Sequence, residues 1–234
     1  MKIDIIILSY AKTDKHYQLT VNCLKSLMES KGSENFNILV IESVSDIDYN
    51  QFLGVKTISI IAPFNYNQFA NYGILFNCSQ LIGVFNNDVI FNENWYEEIL
   101  KNYKGEDLFS CSPISHTSQS QKEWFTTTEP IVGYGIAKQL SGWAIVFTRK
   151  LWDEIGGLDD FCTFWCSDDA YSEQLQSFKI PHYLIPTSIV NHVENGSNTL
   201  KTMDSETNYQ LTLEQAKIFN KKYNANKFNL NKSS

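Results

Sequence analysis

An aspartate stands at the end of an apolar run within residues 81–92, LIGVFNNDVIFN. Residues 82–85 lead straight into Asn86, Asn87 and Asp88, and apolar residues resume at 89–91. A run without polar alternation predicts a strand buried on both faces, as in a parallel sheet. Ligands of open α/β sheets gather at the carboxyl ends of such strands. An aspartate there, beside two amides, suits a divalent cation bridging a diphosphate: hard oxygen ligands, few of them, with phosphate supplying the rest. The competing reading is a plain strand-end turn, in which Asn and Asp are common. A second acidic pair, Asp168 and Asp169, opens a helix predicted over 167–178, where negative charge is favourable against the helix dipole. His192 follows a short apolar run and reads either as a polar strand end or as a ligand. Cys162 and Cys166, with His182 and His192 downstream, lack the second close pair of a structural zinc site. They read as small buried apolar residues.

The elements that must position these groups alternate in type. Residues 2–10 and 36–41 are apolar strands. Between them, Leu19, Cys23, Leu24, Leu27 and Met28 fall at helical spacing, and Gly32 follows as a stop. A third strand covers 55–61, and a helix over 65–80 crosses back to the Asp88 strand. A further helix covers 95–103. The order predicts an α/β fold with a mostly parallel sheet. Beyond residue 108 the pattern changes: a strand at 109–114, a polar stretch at 115–129 expected to be a mobile loop, and a strand at 140–148. A short helix at 149–155 follows, then the acidic helix, then edge strands at 180–185 and 188–190. A last helix covers 209–223. Neither an internal repeat nor a Pro- or Gly-rich linker appears, so one domain over 1–225 is expected, with a polar tail at 226–234.

Composition narrows the class. The 234 residues are 43% hydrophobic and 14% aromatic, enough for a substantial core. A net charge of −7 argues against a broadly basic nucleic-acid surface, and makes a phosphorylated ligand dependent on a metal or on local Lys and amide groups. The apolar run at the N-terminus is too short for a signal peptide core, and no stretch reaches transmembrane length. Five scattered cysteines fit free thiols in a reducing compartment, so a cytoplasmic protein is expected.

Four stretches in this order carry a resemblance: IIILSYAK at 5–12, the acid Glu42 in LVIESVSD, VFNNDV, and GWAIVFTRKLWDEIGGLDDFCTFWCSDDAYSEQL followed by IVNHVENGS. Together they resemble the family-2 glycosyltransferases of the GT-A fold, over about residues 3–197. The resemblance implies a mostly parallel central sheet flanked by helices, with a smaller mixed sheet on the acceptor side. Residues 1–105 would form the nucleotide-sugar half and 106–200 the acceptor half. It also implies roles. Asp88 matches the metal-binding acid and Asn86 the position facing the ribose and diphosphate, with Asn87 between them. Ser9 and Tyr10 match residues lining the nucleotide, and Glu42 the acid that meets the base or ribose. His192 matches a histidine that completes the metal site. Asp168 matches the catalytic base of inverting members.

The sequence departs from the family pattern in places. Ser167 stands where a Glu precedes the base, and Ala170 where the next acid is expected, which keeps Asp169 as a second candidate. Asn71 occupies a position that is often Arg, so Lys12 is a further candidate for the diphosphate. Trp143 and Trp165 are candidates to stack on an acceptor ring. The implied cofactor is Mn2+ or Mg2+, with a nucleotide-diphosphate sugar, a UDP-sugar first, as donor. The acceptor class stays open among glycan, protein, lipid and modified nucleobase. Two other functions compete. One is a sugar-phosphate nucleotidyltransferase, which the absence of a Gly-rich basic loop after the first strand disfavours. The other is a sugar- or nucleotide-binding domain with a decayed site.

Overall fold

Strand β1 (Ile3–Ser9) is buried at all seven positions. Alternate side chains serve opposite faces of the sheet: Ile3, Ile5 and Ile7 join one apolar cluster, Ile6 and Leu8 the other. A strand with helices on both faces needs apolar side chains in both directions, which explains the continuous run in the sequence. The computed structural model describes residues 1–163, 165–193 and 205–223, with backbone alone for 205–209.

Helix α1 (Asp14–Glu29) covers the first face with Val21, Cys23, Leu24 and Leu27. It begins before its apolar stripe because the Thr13 hydroxyl caps it, accepting from the His16 N–H at 3.3 Å. Strands β2 (Phe36–Glu42), β3 (Val55–Ser59) and β4 (Leu81–Asn86) join β1 in the parallel order β3-β2-β1-β4. Helix α2 (Tyr66–Ile74), capped by Asn65, packs Phe69, Ala70 and Ile74 on the second face. It is shorter than the sequence pattern predicts. After the short strand β5 (Val89–Phe91), α3 (Trp95–Asn102) returns to the first face with Trp95, Tyr96 and Ile99.

The remaining strands extend the same sheet. β6 (Ser110–Ile114), β7 (Ile131–Val132), β8 (Ala144–Thr148) and β9 (Tyr183–His192) complete it. The path continues β4-β8-β6-β9-β5, and β7 also pairs with β9. β8 runs antiparallel to both β4 and β6, and β9 antiparallel to β5 and β7, so this part is mixed. It is the GT-A-like arrangement of a large, mostly parallel sheet flanked by helices, with its mixed portion continuous with the rest. Helices α4 (Arg149–Glu154), α5 (Ser167–Ser177) and α6 (Ser205–Tyr223) follow in the second half.

Two local expectations change, and one lies out of view. The two edge strands at 180–185 and 188–190 are one ten-residue strand, β9, with partners on both sides. Pro186 interrupted the apolar pattern, but the register shift between Pro113 and Ile114 of β6 absorbs the irregularity. The polar stretch at 115–129 is not a bare loop: it holds a 3-10 helix, Gln119–Trp124, with Gln121 completely buried. The expected polar tail lies outside the described residues.

Candidate functional site

The turn after β4 is short: Asn87 and Asp88 separate it from β5. β5 pairs antiparallel with β9, matching Val89 to His192, and the Val193 N–H donates to the Asp88 carbonyl at 2.9 Å. Backbone pairing therefore sets Asp88 beside His192, although 104 residues separate them. Asp88 Oδ1 lies 3.1 Å from His192 Nε2, near enough for an ion pair but out of line for a hydrogen bond. Both atoms are buried, and neither has a hydrogen-bond partner among the described residues. Buried polar atoms are nearly always paired, so two orphans facing each other need a reason.

The rest of His192 is firmly held. Its ring stacks on Trp143 at 5.2 Å and 9°. Its N–H donates to Ser115 Oγ at 3.0 Å, and its carbonyl accepts from the Thr117 hydroxyl at 2.6 Å. A carboxylate oxygen and an imidazole nitrogen, oriented and unpaired, fit a divalent cation such as manganese or magnesium. No cluster of three His, Cys, Asp or Glu able to hold a metal occurs among the described residues. The pair thus fits an ion that takes its other ligands from a diphosphate and water.

Asp168 comes from α5 and lies beside Gly142, the neighbour of Trp143 in the chain. Cys166 precedes α5 with φ 64°, a left-handed turn that redirects the chain into the helix. Asp168 is half-buried and packs against Gly142, where an added Cβ would lie 2.8 Å from its Oδ2. Glycine at 142 is what permits this approach. Asp168 Oδ1 accepts the Asp169 N–H at 3.0 Å, while Asp169 itself is buried.

Tyr66 joins the two acidic sides and escaped the sequence reading. Its hydroxyl donates to the Gly142 carbonyl at 2.7 Å. Burial, then the charges of Asp168 and Asp88, push its phenol well above the ordinary tyrosine range. Asn67 was missed as well: its amide donates to the Asp159 carbonyl at 2.6 Å and to the Ser167 carbonyl at 3.1 Å, fixing the residue before Asp168. Asn65 donates to the Asp160 carbonyl at 2.7 Å. The cluster of amides in NYNQ, at the start of a helix, was the available signal.

The other predicted residues divide by environment. Ser9 and Asn87 belong to a buried polar knot. Asn87 donates to Thr20 Oγ1 at 2.9 Å, and Ser9 Oγ lies 2.9 Å from the same hydroxyl and 3.3 Å from the Tyr49 hydroxyl. Glu42 is fully buried below them. Its Oε1 accepts the N–H groups of Ala11, Ser43 and Val44 at 3.1, 2.8 and 3.0 Å, and its Oε2 the Tyr49 hydroxyl at 3.1 Å.

Tyr10 stacks on Phe64 at 6.1 Å and carries Lys12 Nζ 4.2 Å from its ring centre. Asn86 is half-buried, and its N–H donates to the Trp143 carbonyl at 2.9 Å. Asn71 is turned to the 156–158 bend: Oδ1 accepts the Trp152 indole and the Leu158 N–H, each at 2.9 Å, and Nδ2 donates to the Leu158 carbonyl at 2.7 Å. Those three bonds hold the bend before α5. Trp165 packs with Cys162, Cys166 and Phe219 of α6.

The fold has counterparts among solved structures. The chain matches the S. aureus TarS 1–349 structure with a TM-score of 0.63 at 13% identity, over 81% of this chain and 59% of that one. It matches GalNAc-T7, solved with UDP, GalNAc and Mn2+, with a TM-score of 0.64 at 12% identity, over 83% and 44%. It matches the mannosyltransferase PcManGT from Pyrobaculum calidifontis, solved with GDP-Man and Mn2+, with a TM-score of 0.63 at 11% identity, over 84% and 58%. The chain thus spans about half of the length of these structures. No family model matches the sequence, and no curated protein matches it. Among the described residues no helix is long and apolar enough to cross a membrane.

Proposed function

We propose that this chain is a glycosyltransferase that moves a sugar from a nucleotide-diphosphate donor, a UDP-sugar first, to an acceptor hydroxyl, by the inverting route of family-2 enzymes. The single observation carrying the reading is the buried, unpaired Asp88–His192 couple at the carboxyl end of β4. In an open α/β sheet that is where ligands collect. Fold neighbours solved with UDP or GDP-Man and Mn2+ support the same reading.

Asp88 and His192 would hold Mn2+ or Mg2+, which when bound neutralises charge on the departing diphosphate. The chain's own groups do the rest. Trp143 stacks on His192 and fixes the orientation of its ring. Asp168 takes the proton from the acceptor hydroxyl as its oxygen attacks the anomeric carbon. A single base opposite the leaving group inverts that carbon, following the geometric logic of single-displacement glycosidases. Asp169 is the second candidate for this proton transfer; it is buried, whereas Asp168 is half-buried and is preferred. Tyr66 lies in the field of both carboxylates, with its hydroxyl held by the Gly142 carbonyl. Tyr10, Lys12 and Phe64 form a rim suited to the nucleotide.

Thermal-shift titration with UDP-sugars tests the proposal. With Mn2+ present, ligand at 100 times its Kd stabilises the folded protein by about 2.7 kcal/mol. We expect that shift to vanish on chelation and in Asp88→Ala. Equal stabilisation in the presence and absence of metal, or in the variant, overturns the metal-dependent reading.

A further inference from the structure

We infer that Gln121 is a positioning residue for the metal-side and base-side halves of the site together; the inference rests on the glycosyltransferase reading above. Gln121 lies in the 3-10 helix Gln119–Trp124 and is completely buried, an uncommon place for a glutamine. Its amide makes three hydrogen bonds, to backbone or hydroxyl groups of two different segments. Oε1 accepts the Ser115 N–H at 2.8 Å. Nε2 donates to the Lys138 carbonyl at 2.7 Å and to Ser141 Oγ at 2.9 Å.

Each segment ends on a site residue. On one side, Ser115 Oγ accepts the His192 N–H at 3.0 Å and sits 2.8 Å from Thr117 Oγ1, whose hydroxyl donates to the His192 carbonyl. The neighbouring His116 N–H donates to Asn191 Oδ1 at 2.9 Å. Residues 115–117 thus clasp His192 by both of its backbone groups. On the other side, Ser141 leads directly into Gly142, against which Asp168 packs, and Trp143, on which His192 stacks. The Ser141 N–H donates to Ser112 Oγ at 3.1 Å, and Ser112 Oγ lies 3.2 Å from His182 Nε2. From His182 the chain of contacts runs through Ser110 Oγ to the Tyr171 hydroxyl in α5, one turn beyond Asp168. One buried amide is therefore the junction between the strand end that carries His192 and the bend that seats Asp168.

Removing a direct hydrogen-bond partner of a metal ligand typically lowers metal affinity 10- to 100-fold, and Gln121, acting on His192 through Ser115, is expected at the low end of that range. A residue that only stabilises the 115–129 segment would lower the melting temperature and leave a folded protein's metal affinity alone. The two roles separate in a Mn2+ titration with UDP, read by electron paramagnetic resonance of free Mn2+ at a temperature where every variant is folded. The imidazole resonances of His192 in metal-free protein are recorded alongside.

Gln121→Ala is expected to weaken Mn2+ binding about 10-fold and to shift the His192 resonances. Tyr134→Phe, which removes the 2.9 Å bond from Tyr134 to the Ile180 carbonyl in the same part of the fold, is expected to change neither. Ser115→Ala cuts the connection downstream and is expected to act in the same direction. Combining Ser115→Ala with Gln121→Ala is expected to add less than the sum, because the two act in one pathway. A folded Gln121→Ala with wild-type Mn2+ affinity and unmoved His192 resonances overturns the inference. If Gln121→Ala does not fold, an unmoved Ser115→Ala overturns it. If wild-type protein with UDP binds no Mn2+ at all, the glycosyltransferase reading fails instead, and the His192 resonances alone then decide whether Gln121 positions that ring.

Discussion

Two buried carboxylates stand at the carboxyl ends of parallel strands, and their surroundings are opposite. Glu42, closing β2, receives three backbone N–H groups and one phenol. Asp88, just past β4, has an oxygen that receives nothing and faces a ring nitrogen equally unpaired. Two histidines flanking β9 repeat the contrast. His182 has both ring nitrogens against serine hydroxyls, while Nε2 of His192 has none. Burying an ionised or polar group without partners costs free energy that folding rarely tolerates. The paired members explain themselves as structure: they bind the loops after β1 and β2 and the β6–β9 interior. On the proposed function, the unpaired members would hold an ion between them. Residue type and strand-end position are common to both, so satisfaction of the polar atoms is what divides scaffold from site.

The largest effect should come from the acid that completes the unpaired side. Asp168→Asn keeps the shape of the side chain and removes its capacity to take a proton. Turnover is expected to fall by about two to four powers of ten with donor binding near normal. Asp169→Asn should cost much less, since adjacent helical residues face different ways. Single-turnover kinetics of the two variants, with the anomeric coupling of the product read by NMR, tests both points. A dead Asp169→Asn enzyme would move the base by one residue, and a retained configuration would end the single-displacement mechanism.

A stability comparison sharpens the carboxylate contrast directly. Glu42→Ala strips four donors of their acceptor, at about 1–3 kcal/mol for each left unpaired. Even with partial rehydration, it should lose at least about 3 kcal/mol in urea unfolding. Asp88→Asn, measured without metal, should stay within about 1 kcal/mol of wild type or gain stability, because Oδ1 accepts no hydrogen bond in the folded state. Comparable losses in both variants would erase the distinction between the two strand ends.

The smallest expected effect uses the histidines. Burial pushes His182 down to about 3 from its ordinary 6.5. Between those pH values the unfolded chain binds a proton that the folded chain refuses, so stability falls as pH drops below 6.5 and is unaffected above it. At pH 5 this one group should remove about 2 kcal/mol, at about 1.4 kcal/mol per pH unit. His182→Gln should lack that increment in urea midpoints compared between pH 7.5 and 5. An identical acid limb in both proteins would show that His182 is not the neutral, shielded member of the pair.

The parallel half was readable because its strands carry their own evidence. β1 and β4 are continuous apolar runs, and only a strand covered on both faces needs that. Asp88 could be singled out because it breaks such a run. The second half was harder for a physical reason. β9 holds a proline and mixes buried with half-exposed positions, so it read as two edge strands. Its central place depends on β5, β6 and β7, three pairings distant in sequence. The 115–129 stretch is mostly polar, and polarity ordinarily means solvent. Most of it is indeed exposed, but Ser115 and Gln121 turn inward and are hydrogen-bonded to each other.

By itself the sequence determined the α/β class, the strand that delivers Asp88 and the helix that opens with Asp168, because periodicity and strand-end chemistry are local properties. Only the tertiary structure decided which polar groups are satisfied. Glu42 and Asn71 have the same residue types that ligand contacts use, yet their atoms bind partners, Ala11 and Tyr49 for Glu42, Trp152 and Leu158 for Asn71, that the sequence could not place beside them. Asp88 and His192 became a pair through the register of β5 on β9, and Tyr66, Asn67 and Gln121 joined the site through hydrogen bonds to distant backbone. A hydrogen bond is fixed by distance and direction between two atoms, and for residues far apart in the chain that geometry exists only once the sheet has formed.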